Sequence, residues 1–201
     1  MAVLLAGAAC SRPAPDDDPA DFARQIASAR AEKDRQFSGA PDSPVPPGRR
    51  AELLPLAYFP PDLSYSVAAS LKRAGSTDTI DMPTSTGQMR AMRRVGTLQF
   101  TLKGRPMTLG AFVEVGAQDV NHLFVPFTDL TSGTETYPAG RYLDLERTAT
   151  GLYIIDFNRA YHPFCYYNPT YDCPFPPAEN RLPIPVHAGE KQKGTASDSR
   201  R

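Results

Sequence analysis

The stretch TLQFTLKGRPMTLGAFVEV, residues 97–115, decides the fold. Leu98, Phe100 and Leu102 alternate with polar neighbours, the period-two pattern of a strand with one buried face. Lys103-Gly104 then makes a tight connection into a second apolar run, Met107–Val115. Two such runs joined by a short glycine-containing turn predict a β-hairpin.

The same pattern continues on both sides of the hairpin. Upstream stand Gln88–Arg94, a turn by composition at Pro83 to Gly87 (PTSTG), and a short strand at Asp78–Met82. Before these, Ser64 to Arg73 places Tyr65, Val67, Ala69 and Leu71 on one strand face. Downstream, His122–Phe127 is apolar enough to be buried on both faces, and Arg141–Leu145 and Leu152–Phe157 complete the set. A helix precedes the strands. Asp18 is its N-cap, Pro19 its first residue, and Asp21 lies near the positive end of the dipole. Phe22, Ile26 and Phe37 fall close to one stripe at helical spacing, and Gly39 followed by Pro41 stops it. The expected class is mainly β: an antiparallel barrel or curled sandwich of about eight strands, with one N-terminal α-helix and a long Pro-rich ordered C-terminal coil.

Composition narrows the function classes. The 201 residues carry 22 Lys and Arg against 22 Asp and Glu, so nothing in the bulk charge favours nucleic acid or an acidic membrane surface. The 21 prolines, roughly twice the usual ~5 %, gather at 13–19, 41–61 and 163–185, where regular structure should stop. Residues 1–19 read as a signal-like segment and tether, 20–190 as a single β-rich domain with its helix at 20–38, and 191–201 as a disordered tail. In the first of these, the apolar run MAVLLAGAA ends at Cys10, as in a bacterial lipoprotein signal whose cysteine is lipidated. Gly7 stands where such signals usually have Leu, and no basic segment precedes the run; a start set downstream of the true one would explain the latter. The expectation is an extracytoplasmic protein held to the membrane by a lipid anchor alone, the alternative being a cytoplasmic chain with a frayed tail.

The motifs PTSTG (83–87), LFVPFTDLTSGTETYPAGRYLDL (123–145), DFNRAYHPFCYY (156–167) and CPFPPAEN (173–180) resemble the domain of unknown function 1684 family. The resemblance covers roughly residues 30–190. It implies little chemistry, because the family is defined by sequence. His162 stands where the family pattern usually has Asn.

Three constellations can carry chemistry. Glu135, Tyr137, Arg141, Asp156, Asn158, Tyr161, Asn168, Glu179 and Asn180 lie at strand ends or in the coil that follows, where barrel loops can converge on a mouth. There Arg141 would clamp a carboxylate or phosphate, and Glu135 or Asp156 would serve as a base if burial raised its pKa. The bland alternative is a buried network that pins the C-terminal coil. Cys165 and Cys173 are expected to form a disulfide if the protein lies outside the cytoplasm, worth about 2–3 kcal/mol. Reduced structural thiols come second, and a metal site with His162 a distant third. The basic residues Arg90, Arg93, Arg94, Lys103 and Arg105 around the hairpin read as a solvated face. Phosphate loops, a serine nucleophile elbow and dinucleotide fingerprints are missing. The leading expectation is therefore a binding domain for a small polar or anionic ligand, with no cofactor, metal or nucleic acid. The alternatives are an acid–base enzyme built on Glu135, Arg141 and Asp156, or a purely structural interaction module.

Overall fold

In the computed structural model, which describes residues 18–74 and 78–194, Lys103 and Gly104 take φ of 50° and 74°. Successive positive φ values match the twist of a two-residue hairpin turn, and glycine adopts one without penalty. This turn joins β4 (Met89–Leu102) to β5 (Arg105–Glu114), paired from Leu102↔Arg105 out to Met92↔Glu114. The two strands expected at Gln88–Arg94 and Thr97–Leu102 are thus one strand. The break in alternation between them is a bulge at Arg94/Gly96. A Cβ on Gly96 would lie 2.4 Å from the Lys72 carbonyl oxygen, so only glycine lets the strands meet there.

The bulge divides β4 between two neighbours. Its C-terminal half pairs with β2 (Ser66–Arg73), and its N-terminal half with β3 (Thr79–Pro83). With β6 (His122–Phe127), β7 (Arg141–Glu146) and β8 (Tyr153–Asp156), the sheet runs β7-β6-β5-β4-β2-β8, all antiparallel, with β3 on β4 as a side arm. A bridge between Arg147 and Tyr153 brings the two ends together, giving a nearly closed barrel. A second, two-stranded sheet pairs β1 (Ala57–Tyr58) with β9 (Glu190–Lys191).

Inward-facing side chains fill the barrel. Leu98, Leu102, Leu109, Val125, Phe127 and Ile155 are fully buried in one core. Leu182, Val186 and Ala188 of the C-terminal segment join that core. Helix α1 (Pro19–Gly39) starts as expected: Pro19 follows Asp18, whose Oδ1 accepts from the Ala20 N–H at 3.0 Å. It buries Phe22, Ile26 and Phe37. Phe37 packs edge-on against Tyr167 of α2 (Phe164–Tyr167), 5.4 Å between centroids, in a satellite core with Val45 and Leu53. Among the described residues no helix is long and apolar enough to cross a membrane. Cys10, the signal-like run and the tail from residue 195 lie outside the described residues.

Candidate functional site

Of the residues expected at the barrel mouth, Asn158 and Tyr161 line a small cavity of about 230 Å³ against α1. Arg141, at the start of β7, has no exposed surface. Its guanidinium binds Asp129 Oδ2 at 2.8 Å and donates to the carbonyls of Val186 (2.8 Å), Glu190 (3.1 Å) and Ala188. These three carbonyls belong to the C-terminal segment on either side of the turn at Gly189. Arg141 therefore supplies donors that a neighbouring strand would otherwise give. The side chain pins the C-terminal segment. Burial lowers its pKa and the Asp129 charge opposes the shift.

The others are engaged separately. Asn180 Oδ1 accepts from the Gly110 N–H at 2.6 Å, and its Nδ2 donates to the carbonyls of Gly110 and Pro126. Asn158 exchanges hydrogen bonds with the Asp62 backbone, and Asp156 Oδ1 accepts from Asn158 while its Oδ2 faces Arg159. Glu135 meets His187 at 3.0 Å on the surface, Glu179 pairs with Arg94, and Asn168 caps its own turn through Thr170. Asn158, Tyr161 and Glu179 bind Asp62, Asp144 and Arg94 respectively, not Arg141 or Glu135. Local turn and backbone partners claim these side chains first.

His162 is buried and structural. Its Nε2 accepts from the Tyr137 N–H at 3.3 Å, leaving the proton on Nδ1, which faces Glu190 Oε2 at 3.7 Å. Burial first, then the Arg141 and Lys33 charges, push its pKa down to about 3, so the ring is neutral. Glu190 in turn holds Lys33 of α1 at 2.5 Å, the His162 N–H at 2.8 Å and the Tyr167 hydroxyl. Among the described residues no three His, Cys, Asp or Glu side chains are placed to hold a metal.

The expected disulfide is not formed, and both cysteines are free thiols. They nevertheless touch. The Cys165 N–H donates to Cys173 Sγ at 3.2 Å, and the two thiols hydrogen-bond. Bonds from Cys173, Ser85 and Tyr137 bring the Cys165 thiol down to about 6, while its partner and burial raise Cys173. One proton is thus shared by the pair and the second ionisation is opposed.

An open site lies on the other face of the sheet. Phe112 and Phe124 are cross-strand partners, and Phe124 stands opposite Asp144. With Met92 and Tyr142 they floor a groove of about 1130 Å³ outside the barrel. Tyr142 packs edge-on against Phe124, centroids 4.7 Å apart, and its hydroxyl donates to the Pro174 carbonyl at 2.6 Å. One wall is the coil from Phe164 to Pro174, including Tyr171 and Cys173. It is tied to the β3–β4 turn: Thr86 and Arg90 bind the Asp172 carboxylate at 2.5 and 3.0 Å, and Ser85 bonds the backbone of Cys173.

The rim is acidic: Glu114, Asp119, Asp144, Glu146 and Asp172. Its two basic side chains are occupied, Arg90 by Asp172, and His122 by Asp119 at 2.8 Å and Glu146 at 3.5 Å. The bond to Asp119 raises the His122 pKa. Of the nine residues expected at a mouth, Tyr161 alone lines this groove, its hydroxyl donating to Asp144 Oδ2 at 2.7 Å. Burial, then Asp144, raise the Tyr161 pKa, so the phenol stays neutral. The floor was missed because its residues alternate with core residues in the same strands. The signal was the run His122–Phe127, apolar on both faces although one face alone meets the core.

No curated protein matches the chain. Among solved structures, the solution NMR structure of an uncharacterized protein of Haloarcula marismortui is similar. It shares 39% identity and a TM-score of 0.68, over 88% of this chain and 97% of that one. The model of DUF1684, a family of proteins of unknown function, matches residues 52–191, and the chain belongs to that family.

Proposed function

We propose that the protein is a small-molecule-binding module whose ligand lies in the groove outside the barrel, against Met92, Phe112, Phe124 and Tyr142. The observation that carries this reading is a groove on the outer face of the sheet, where half-buried Phe124 lies beside the buried Met92, Phe112 and Tyr142. Ligand sites are commonly apolar concavities of about 300–1,000 Å³ with a few polar groups at the edge. The floor takes a flat apolar or aromatic body. The acidic rim favours a positively charged or donor-bearing end, since Arg90 and His122 are both held by carboxylates. This revises the anionic ligand expected from Arg141. An acid–base centre of Glu135, Arg141 and Asp156 finds no support, because His187, Asp129, and Asn158 with Arg159 engage the three separately.

Tryptamine and indole-3-acetate share a ring system and carry opposite charges, so a calorimetric titration with both tests the reading. Tryptamine is expected to bind more tightly. Asp144→Asn with Glu146→Gln should weaken it a few-fold, the scale of exposed charge pairs. Phe124→Ala should weaken both probes by about tenfold through lost apolar contact. Preference for indole-3-acetate, or indifference to Phe124→Ala, would contradict the proposal.

A further inference from the structure

Cys165 and Cys173 differ in what they face. Both are buried, yet Cys173 forms part of the groove wall, whereas Cys165, on α2, does not line it. The sulfur of Cys173 already sits 3.2 Å from the Cys165 backbone nitrogen, and the thiols are hydrogen-bonded. A disulfide would therefore join two groups that are already in contact. Both cysteine segments are anchored. Ser85 exchanges hydrogen bonds with the Cys173 backbone, and the Tyr167 hydroxyl is held by Glu190.

We propose that Cys165 and Cys173 are a reversible dithiol–disulfide site, entered from the groove by low-molecular-weight disulfides, with Cys173 as the attacking sulfur and Cys165 as the resolving one. Near neutral pH the pair carries its charge on Cys165 and its proton on Cys173, and that proton passes to Cys165 as Cys173 attacks, so Cys165 serves as the base. In the first step the Cys173 thiolate attacks one sulfur of RS–SR. A protein–S–SR bond forms, the S–S bond breaks, and RS⁻ leaves and is protonated by water. In the second step Cys165 loses its proton to solvent and attacks Cys173 Sγ, expelling the second RS⁻, which is also protonated. Two protein thiols and one RSSR thus give one protein disulfide and two RSH; excess RSH reverses both steps. The proposal stands without the ligand reading. If that reading also holds, the bridge fixes the wall that carries Tyr171 and Asp172, and thereby the shape of the groove.

The test treats the folded full chain with oxidised glutathione and maps peptides by mass, which keeps Cys10 out of the readout. The wild type is expected to gain a 165–173 linked peptide lighter by two hydrogens, and to lose it on adding reduced glutathione. Cys165→Ser should trap glutathione on Cys173, while Cys173→Ser should leave Cys165 largely unmodified over the same time. Thermal melts confirm that each variant is folded during treatment. Absence of the linked peptide at every glutathione ratio would overturn the proposal. Equal trapping in the two single variants would overturn the assigned order of attack. A tryptamine titration of the oxidised and reduced forms then reads the groove separately: a change in affinity supports coupling to the ligand site, and no binding in either form counts against the ligand reading alone.

Discussion

A guanidinium presents its donors in a fixed planar fork, which is why one Arg can satisfy several carbonyls that no strand pairs. Arg141 does this for Val186, Ala188 and Glu190 while its charge is met by Asp129. The Asp129 carboxylate also accepts from Thr131 and from the Val186 N–H at 3.1 Å, so the pair closes a network between β7 and the C-terminal segment. Arg141→Ala leaves a buried carboxylate and three carbonyls short of donors. It should cost about 3–5 kcal/mol in urea unfolding. A loss under 1 kcal/mol would mean that Arg141 faces water and is free to hold a ligand. Local sequence offers no means of choosing between these roles: the same residue type serves both, and burial depends on the segment 45 to 49 residues downstream.

The elements were more legible than their partners. Alternation in Ser66–Arg73 and Arg105–Glu114 marks strands, and the Asp18-Pro19 start marks the helix, because these signals are local. Strands β1 and β9, two residues each, carry no periodicity and pair across most of the chain, Ala57 with Lys191. Their pairing depends on Gly189, which holds φ at 80° while the chain turns over the barrel end. A Cβ there would stand 2.5 Å from the Ala160 carbonyl oxygen and 2.6 Å from that of Phe157. Gly189→Ala is therefore expected to lower stability by at least about 2 kcal/mol, combining left-handed strain with displaced backbone. Chemical denaturation of that variant measures it, and an unchanged midpoint would show that this crossing can shift freely.

At the scale of the molecule, a filled barrel is sealed by the C-terminal segment and clasped by α1, with a buried titratable hub at the joint. His162, Glu190, Lys33 and Tyr167 meet there. His162 is neutral in the fold, its pKa about 3, whereas the unfolded chain takes up the proton below about 6.5. Its contribution is complete above pH 6.5 and is lost progressively as pH falls towards 3. This should reach about 1.4 kcal/mol per pH unit where only the unfolded state is protonated. His162→Asn, which restores the residue more usual in the family pattern, should flatten that slope by one proton between pH 6 and 4. Equal slopes would place a charged imidazole in the fold.

The largest difference between expectation and structure also belongs to this scale. Sequence reasoning sought a site at the barrel mouth, yet C-terminal residues fill that end, and the opening lies on the outer face of β5, β6 and β7. Which face of a doubly apolar strand remains uncovered is decided by long-range packing, so local periodicity could not locate it. The most direct measurement is an NMR titration of the labelled protein with tryptamine. The account expects shift changes at the Met92 methyl and the rings of Phe112, Phe124 and Tyr142, with resonances near Arg141, Glu135 and Asn180 unmoved. Changes centred on Arg141 and Glu135, or none at saturating tryptamine, would contradict it.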